Sequence, residues 1–249
     1  MFLIVIGALC LTLTSCSPLT NRIINGTNAP SIPWMADILT YYEPGESFTR
    51  NCGGSLIAPN WVLTAKHCIY NEQNNLTSNE FHVTLGSNSI FRGQLKKVID
   101  IVEYNSNRDD DLILLKLENN VEGITPIKVQ YEDNIVYAGK TVTIYGWGQT
   151  ETNPAGDFYH LQQTNVTLIS REECGDSRWV CFDPRLTHSN SCLGDSGGPM
   201  ILEENGETRL IGVSHSITYW DFSLSPCDGP KSIYISTAHY ASWIQSVII

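Results

Sequence analysis

The sequence predicts an all-β fold with a single C-terminal α-helix, and three observations lead there. Apolar, β-branched and aromatic residues fall in short runs separated by Gly, Pro, Asn and Asp. No long stretch before Thr237 repeats apolar residues at helical spacing. Strand-like runs do not alternate with helical ones, as a parallel α/β sheet would require.

Phe81–Gly86, Thr141–Gly146 and Leu210–Val213 are typical of the expected strands. Leu112 to Leu117 is almost continuously apolar, the pattern of a buried strand. The polar stretch from Glu118 to Asn134 is the expected connection between two halves. At the end of the chain, from Thr237 to Ile249, Tyr240, Trp243, Ile244 and Val247 fall on one helical face. No internal repeat or low-complexity tract is present.

At 249 residues the chain suits one large β unit or two small domains. Its net charge of −11 disfavours phosphate-backbone binding, so nucleic acid is not an expected partner. Residues 1–16 form an uncharged apolar run that reads as a secretory signal, although it lacks the usual basic start. Leu13-Thr14-Ser15-Cys16 also fits a lipoprotein cleavage site. The expected location is therefore secreted or periplasmic, with lipid anchoring through Cys16 as the alternative and membrane contact only in that case. Two of the eight cysteines, Cys10 and Cys16, lie in this leader. The other six suggest a disulfide framework with fifteen arithmetical pairings. No C-x-x-C pair occurs, so a metal site is not expected.

The chemistry concentrates in three motifs: Thr64-Ala65-Lys66-His67-Cys68, Asp111-Leu112-Ile113-Leu114-Leu115, and Gly194-Asp195-Ser196-Gly197-Gly198-Pro199. A serine hydroxyl is a weak nucleophile until a base takes its proton and a third group orients that base. His67, Asp111 and Ser196 supply those three groups. His82, His160, His188 and His239 have no such surroundings and read as surface or strand residues.

These motifs, in the order His, Asp, Ser, resemble the trypsin/chymotrypsin family of serine endopeptidases, the family from which the general triad mechanism is drawn. Arg22-Ile23-Ile24-Asn25-Gly26, Cys52-Gly53-Gly54-Ser55-Leu56-Ile57, Trp61-Val62-Leu63-Thr64-Ala65, Gly146-Trp147-Gly148 and Ala241-Ser242-Trp243-Ile244 extend the resemblance from Ile23 to the C-terminus. It implies two antiparallel six-stranded Greek-key β-barrels, at about 33–120 and 131–236, followed by a helix at about 237–249. The catalytic set would be His67, Asp111 and Ser196, with the N–H groups of Gly194 and Ser196 as the oxyanion hole. Segment 17–22 would be a propeptide, and cleavage after Arg22 would free Ile23 to pair with Asp195. The implied disulfides are Cys52–Cys68, Cys174–Cys181 and Cys192–Cys227, the first stapling the His67 loop at roughly 3 kcal/mol. In this register Asp109 and Asp110 are solvated turn residues. Lys66, where the family has a small residue, is expected to point outward.

The resemblance implies polypeptide substrates, an activating protease and protein inhibitors as partners. It also implies a monomer and no cofactor; a calcium loop is not recognisable after Gly86. The pocket departs from the family pattern. Asn190 stands six residues before Ser196, where trypsin-like enzymes carry an aspartate, so strong Arg or Lys preference is not expected. Gly212-Val213-Ser214-His215-Ser216-Ile217 replaces G-x-x-S-W-G. Ser214, His215 and Ser216 are then substrate-binding candidates, Ile217 or Ser216 stands at the first wall glycine, and Ser232 stands at the second. Either register narrows the slot toward small or medium uncharged residues. Two alternatives remain: a protease-shaped binding protein of weak or narrow activity, and an esterase. G-x-S-x-G fits Gly194–Gly198, but the esterase fold demands the order Ser, Asp, His. Asn25, Asn75 and Asn165 are glycosylation acceptors in a host that uses them.

Overall fold

The structure is a computed structural model that describes residues 23, 25–41, 49–107, 109–134, 137–149, 159–218, 227 and 229–248. The expected signal and the 17–22 segment with Arg22 lie outside the described residues. A two-residue strand, β1 (Thr27–Asn28), precedes the first half. β2 (Met35–Tyr41), β3 (Thr49–Ala58), β4 (Trp61–Thr64), β5 (Glu80–Leu85), β6 (Gln94–Glu103) and β7 (Ile113–Leu117) then close a barrel in the order β2-β3-β4-β7-β6-β5. The apolar run seen in the sequence is β7. Four of its five residues are buried because it lies between β4 and β6 over the barrel core.

The second half contains β8 (Lys128–Val129), β9 (Thr141–Gly146), β10 (Gln162–Thr167), β11 (Trp179–Phe182), β12 (Pro199–Glu204), β13 (Glu207–Thr218) and β14 (Lys231–Ser236). Its sheet runs β1-β10-β9-β12-β13-β14-β11, with β8 parallel on β13. Here the outcome differs from a second continuous six-strand ladder. The segment just after β10 meets β11 through an isolated antiparallel bridge, Leu168 to Phe182, and through the Ile169 N–H, which donates to the Cys181 carbonyl at 3.0 Å. The reason is local. Ser170 caps α1 (Arg171–Cys174) in a reciprocal box with Glu173, so the chain turns helical before a ladder can extend. A second short helix, α2 (Pro184–Thr187), starts with Asp183 as cap and Pro184 as its first residue.

The C-terminal helix is shorter than its periodicity suggests, covering α3 (Ala241–Val247). Thr237 is fully buried and its hydroxyl lies within hydrogen-bonding distance of the Gln130 and Leu210 carbonyls, which holds that residue out of the helix. α3 then returns to the first half. Tyr240 and Ile244 join the core cluster that includes Leu63, Leu114 and Leu115, and Tyr104, just after β6, packs edge-on against Tyr240 and Trp243.

The halves are joined by backbone. The Gly53 N–H donates across them to the Ser196 carbonyl at 2.8 Å, and within the first half the Thr64 hydroxyl donates to the Gly53 carbonyl at 2.8 Å. Gly197 has φ +74, and a Cβ there would lie 2.2 Å from Thr64 Oγ1 and 2.5 Å from the Gly53 carbonyl oxygen. Only glycine permits that approach.

Candidate active site

Strand register accounts for the assembly of the site. Thr64 at the end of β4 pairs with Ile113 at the start of β7, so His67 and Asp111 emerge at the same mouth of the first barrel. Pro199 at the start of β12 pairs with Val213 on β13, which sets Ser196 and His215 together at the facing mouth of the second half. His67 sits in a short 3₁₀ turn, Lys66–Cys68, held to β3 by the Cys52–Cys68 disulfide. Cys174–Cys181 and Cys192–Cys227 are bonded as well, the latter tethering the segment before Ser196.

Asp111 is the hub. Its Oδ1 accepts the His67 backbone N–H at 2.8 Å and its Oδ2 meets His67 Nδ1 at 2.7 Å. His215 Nδ1 reaches the same Oδ2 at 2.5 Å. Burial by itself would raise this carboxyl, but hydrogen bonds from His215 and then His67 outweigh it and bring the pKa down to about 2. The carboxylate is therefore ionised and can only accept, so both Nδ1 atoms carry protons and His67 Nε2 is left as the basic atom. The sequence made His215 a pocket wall and missed this contact. Nothing near His215 in the chain marked it, because its partner lies 104 residues away.

His215 lines two hollows. One, about 220 Å³, also borders His67, Lys66, Tyr70 and Asp111; the other, about 200 Å³, borders Ser196, Ser214, Ser216, Ile217, Leu193 and Ser191. Asn190 and Ser232 are not on the wall of the second hollow. Asn190 is buried, its Nδ2 donates to the Cys227 carbonyl at 2.5 Å, and its Oδ1 accepts from the buried Ser232 hydroxyl. The amide is thus engaged at both ends. Gly194 has φ +94, a backbone conformation that suits glycine. Asp195 is buried beneath it, accepting the Gly148 N–H at 2.7 Å and the Cys192 N–H at 2.8 Å. Ile23 is buried in the second half beside Tyr137, Val142 and Phe182.

Two expectations require correction. Lys66 does not point outward: its side chain is 4% exposed, and Nζ pairs with Glu103 at 2.6 Å and donates to the Asn105 carbonyl at 3.1 Å. The tight 3₁₀ turn aims it into the barrel mouth, and Glu103 supplies its counter-charge. Asp110 is not a solvated turn residue. It is buried and accepts from Asn105 Nδ2 at 2.7 Å and from the Tyr240 hydroxyl. Asp109 is exposed. His82 lies on β5, His160 precedes β10, His188 ends α2 and His239 precedes α3. Two groups of potential metal ligands occur among the described residues. One contains the disulfide-bonded Cys52 and Cys68. In the other, His67–Asp111–His215, the donor atoms touch at 2.5 and 2.7 Å, whereas tetrahedral ligands about 2.0 Å from an ion stand about 3.3 Å apart.

Two β halves joined at their mouths, one presenting His67 and Asp111 and the other Ser196, define the architecture of the two-barrel serine peptidases. The chain belongs to the trypsin family, whose model matches residues 23–244. It is 29% identical to trypsin 5G1 of Aedes aegypti over 92% of this chain and 85% of that protein. It is 28% identical to chymotrypsin-like elastase family member 1 of Felis catus, covering 93% and 91%. The solved structure of HL collagenase superposes with a TM-score of 0.73 at 26% identity, covering 90% of this chain and 97% of that one. Other relatives are longer. The chain spans about half the length of human transmembrane protease serine 5 (52%) and of chicken urokinase-type plasminogen activator (57%).

Proposed function

We propose that this chain is an exported serine endopeptidase, made as a zymogen, that cleaves polypeptides with a preference for small or medium uncharged residues before the scissile bond. The observation that carries this reading is the Asp111 carboxylate holding His67 through both its backbone N–H and its Nδ1. That grip orients Nε2 to take the Ser196 proton and stabilises the imidazolium that results. Ser196 Oγ attacks the peptide carbonyl, and the Gly194 and Ser196 N–H groups receive the oxyanion. His67 then returns the proton to the leaving amine, and water, activated by the same base, hydrolyses the acyl-enzyme.

Cleavage after Arg22 by another protease completes the site by presenting the Ile23 amine to Asp195. Burial of both residues supports this assignment, because a buried charge left alone costs several kcal/mol. Three disulfides suit an oxidising compartment. No helix among the described residues is long and apolar enough to cross a membrane. Anchoring through Cys16 is the alternative to free secretion, and protein inhibitors are the further expected partners. Fluorophosphonate labelling of the cleaved protein tests the chemistry: labelling and hydrolysis are expected to vanish in Ser196→Ala. Labelling that survives moves the nucleophile elsewhere. The enclosed Asn190 and the presence of Ile217 beside Ser196 favour a second reading, a protease of very narrow activity or a binding protein, and peptide-library turnover separates the two.

A further inference from the structure

The two imidazoles on Oδ2 come from different halves of the molecule. His67 follows β4 in the first barrel, whereas His215 lies on β13, at the bulge between Ser214 and Ser216. The bulge turns His215 off the regular alternation of its strand, and its side chain reaches Asp111 while remaining 24% exposed. Oδ2 thereby takes two N–H donors and Oδ1 a third, so the carboxylate is fixed by both barrels at once. The rings of His67 and His215 stand 6.3 Å apart between centroids, close enough for a charge on one to be felt by the other.

We propose that His215 is a positioning residue for the base: it secures Asp111 from the second barrel, and a proton taken up by His215 disarms His67. This rests on the reading of His67, Asp111 and Ser196 as the catalytic set. Histidine changes charge in the pH 5–8 range. When His215 is neutral, the full negative charge of Asp111 serves the His67 imidazolium. When His215 gains a proton at Nε2, that charge is shared and a like charge faces His67, so the second imidazolium is disfavoured. A proton on either ring therefore suppresses the reaction.

The other ionisable groups around His215 are already committed. Lys66 is paired with Glu103. Tyr70 is pushed up to about 12, first by burial and then by Glu103, and stays neutral. Asp110 directs its carboxylate to Tyr240 and Asn105. Among the described residues, the second hollow adds the hydroxyls of Ser191, Ser196, Ser214 and Ser216 and no charged side chain.

The test is the pH dependence of kcat and KM for the cleaved full chain, as wild type, His215→Gln and His215→Ala. Glutamine keeps a neutral N–H donor without a titrating group. Its acid limb is expected about half a unit below that of wild type, because only His67 then takes up a proton, and its kcat above that limb is expected to exceed that of the alanine variant. Alanine removes the donor and is expected to lower kcat by about tenfold to a hundredfold with little change in KM. An acid limb in His215→Gln that overlays wild type overturns the proposal. A second measurement does not depend on turnover or on the alanine variant. In Ser196→Ala, NMR is expected to show His67 and His215 titrating as a coupled pair, whereas independent single-proton titrations refute the coupling. Loss of the catalytic reading would appear separately, as unlabelled Ser196.

Discussion

The Tyr240 hydroxyl donates to the Asp110 carboxylate at 2.5 Å, which links the residue before α3 to the residue before Asp111. Arg178 approaches the same carboxylate at 3.6 Å. Burial opposes ionisation of Asp110, but hydrogen bonds from Tyr240 and Asn105 prevail and hold its pKa below the usual carboxylate value. Stability from this group is therefore present at neutral pH and lost as pH falls through the depressed folded value. Tyr240→Phe is expected to cost about 1–3 kcal/mol in denaturant unfolding at neutral pH and to lose less further stability than wild type as the solution is acidified, because the folded and unfolded values of Asp110 are then closer.

Asp111 gives a second acid signature. Its folded pKa of about 2, against an ordinary 3.8, corresponds to about 2 kcal/mol of stability at neutral pH, lost as pH falls from about 4 to 2. Asp111→Asn is expected to remove that part of the pH dependence and to reduce turnover by about 10⁴-fold. Unfolding curves at pH 2, 4 and 7 measure the first effect, and steady-state kinetics the second.

Gly197→Ala tests the joint between halves. The new methyl would collide with Thr64 Oγ1 and the Gly53 carbonyl while the backbone holds φ +74, so a loss of at least about 3 kcal/mol is expected. Thr64→Ala in the same background is expected to recover only part of it, because the carbonyl cannot be removed. Thermal unfolding of the single and double variants decides this.

Ile217→Gly addresses specificity. The isoleucine side chain borders the hollow beside Ser196, and its removal is expected to raise kcat/KM for cleavage after large aromatic residues by about tenfold or more relative to small ones. Asn190→Asp is expected not to confer cleavage after Arg or Lys, because the new carboxylate would face the Cys227 carbonyl in place of a donor. Competitive peptide-library hydrolysis reads both variants.

Much of this was legible in the sequence wherever a residue's role depends on its neighbours along the chain. The apolar run at Leu112–Leu117 implied a buried strand, and β7 occupies it. Hydrogen bonds across long sequence distances were not legible. Lys66 looked like a solvated cation until Glu103 was brought beneath it, and Asp110 looked like turn until Tyr240, 130 residues later, reached it. His215 was similarly ambiguous, because a pocket wall and a carboxylate partner occupy the same stretch of β13. The helix was overextended from 237 because Thr237 spends its hydroxyl on carbonyls outside any helix.

The return of α3 to the first half has a consequence in time. Tyr240 and Ile244 are synthesised after both β halves, yet they complete the packing around Leu63, Leu114 and Leu115. A nascent chain can form the His67 turn early, but it lacks the Tyr240 clamp on the segment bearing Asp111 until translation has passed residue 240. Full ordering of that segment is thus deferred until Tyr240 and Ile244 have been made, long after the strands that carry His67 and Asp111.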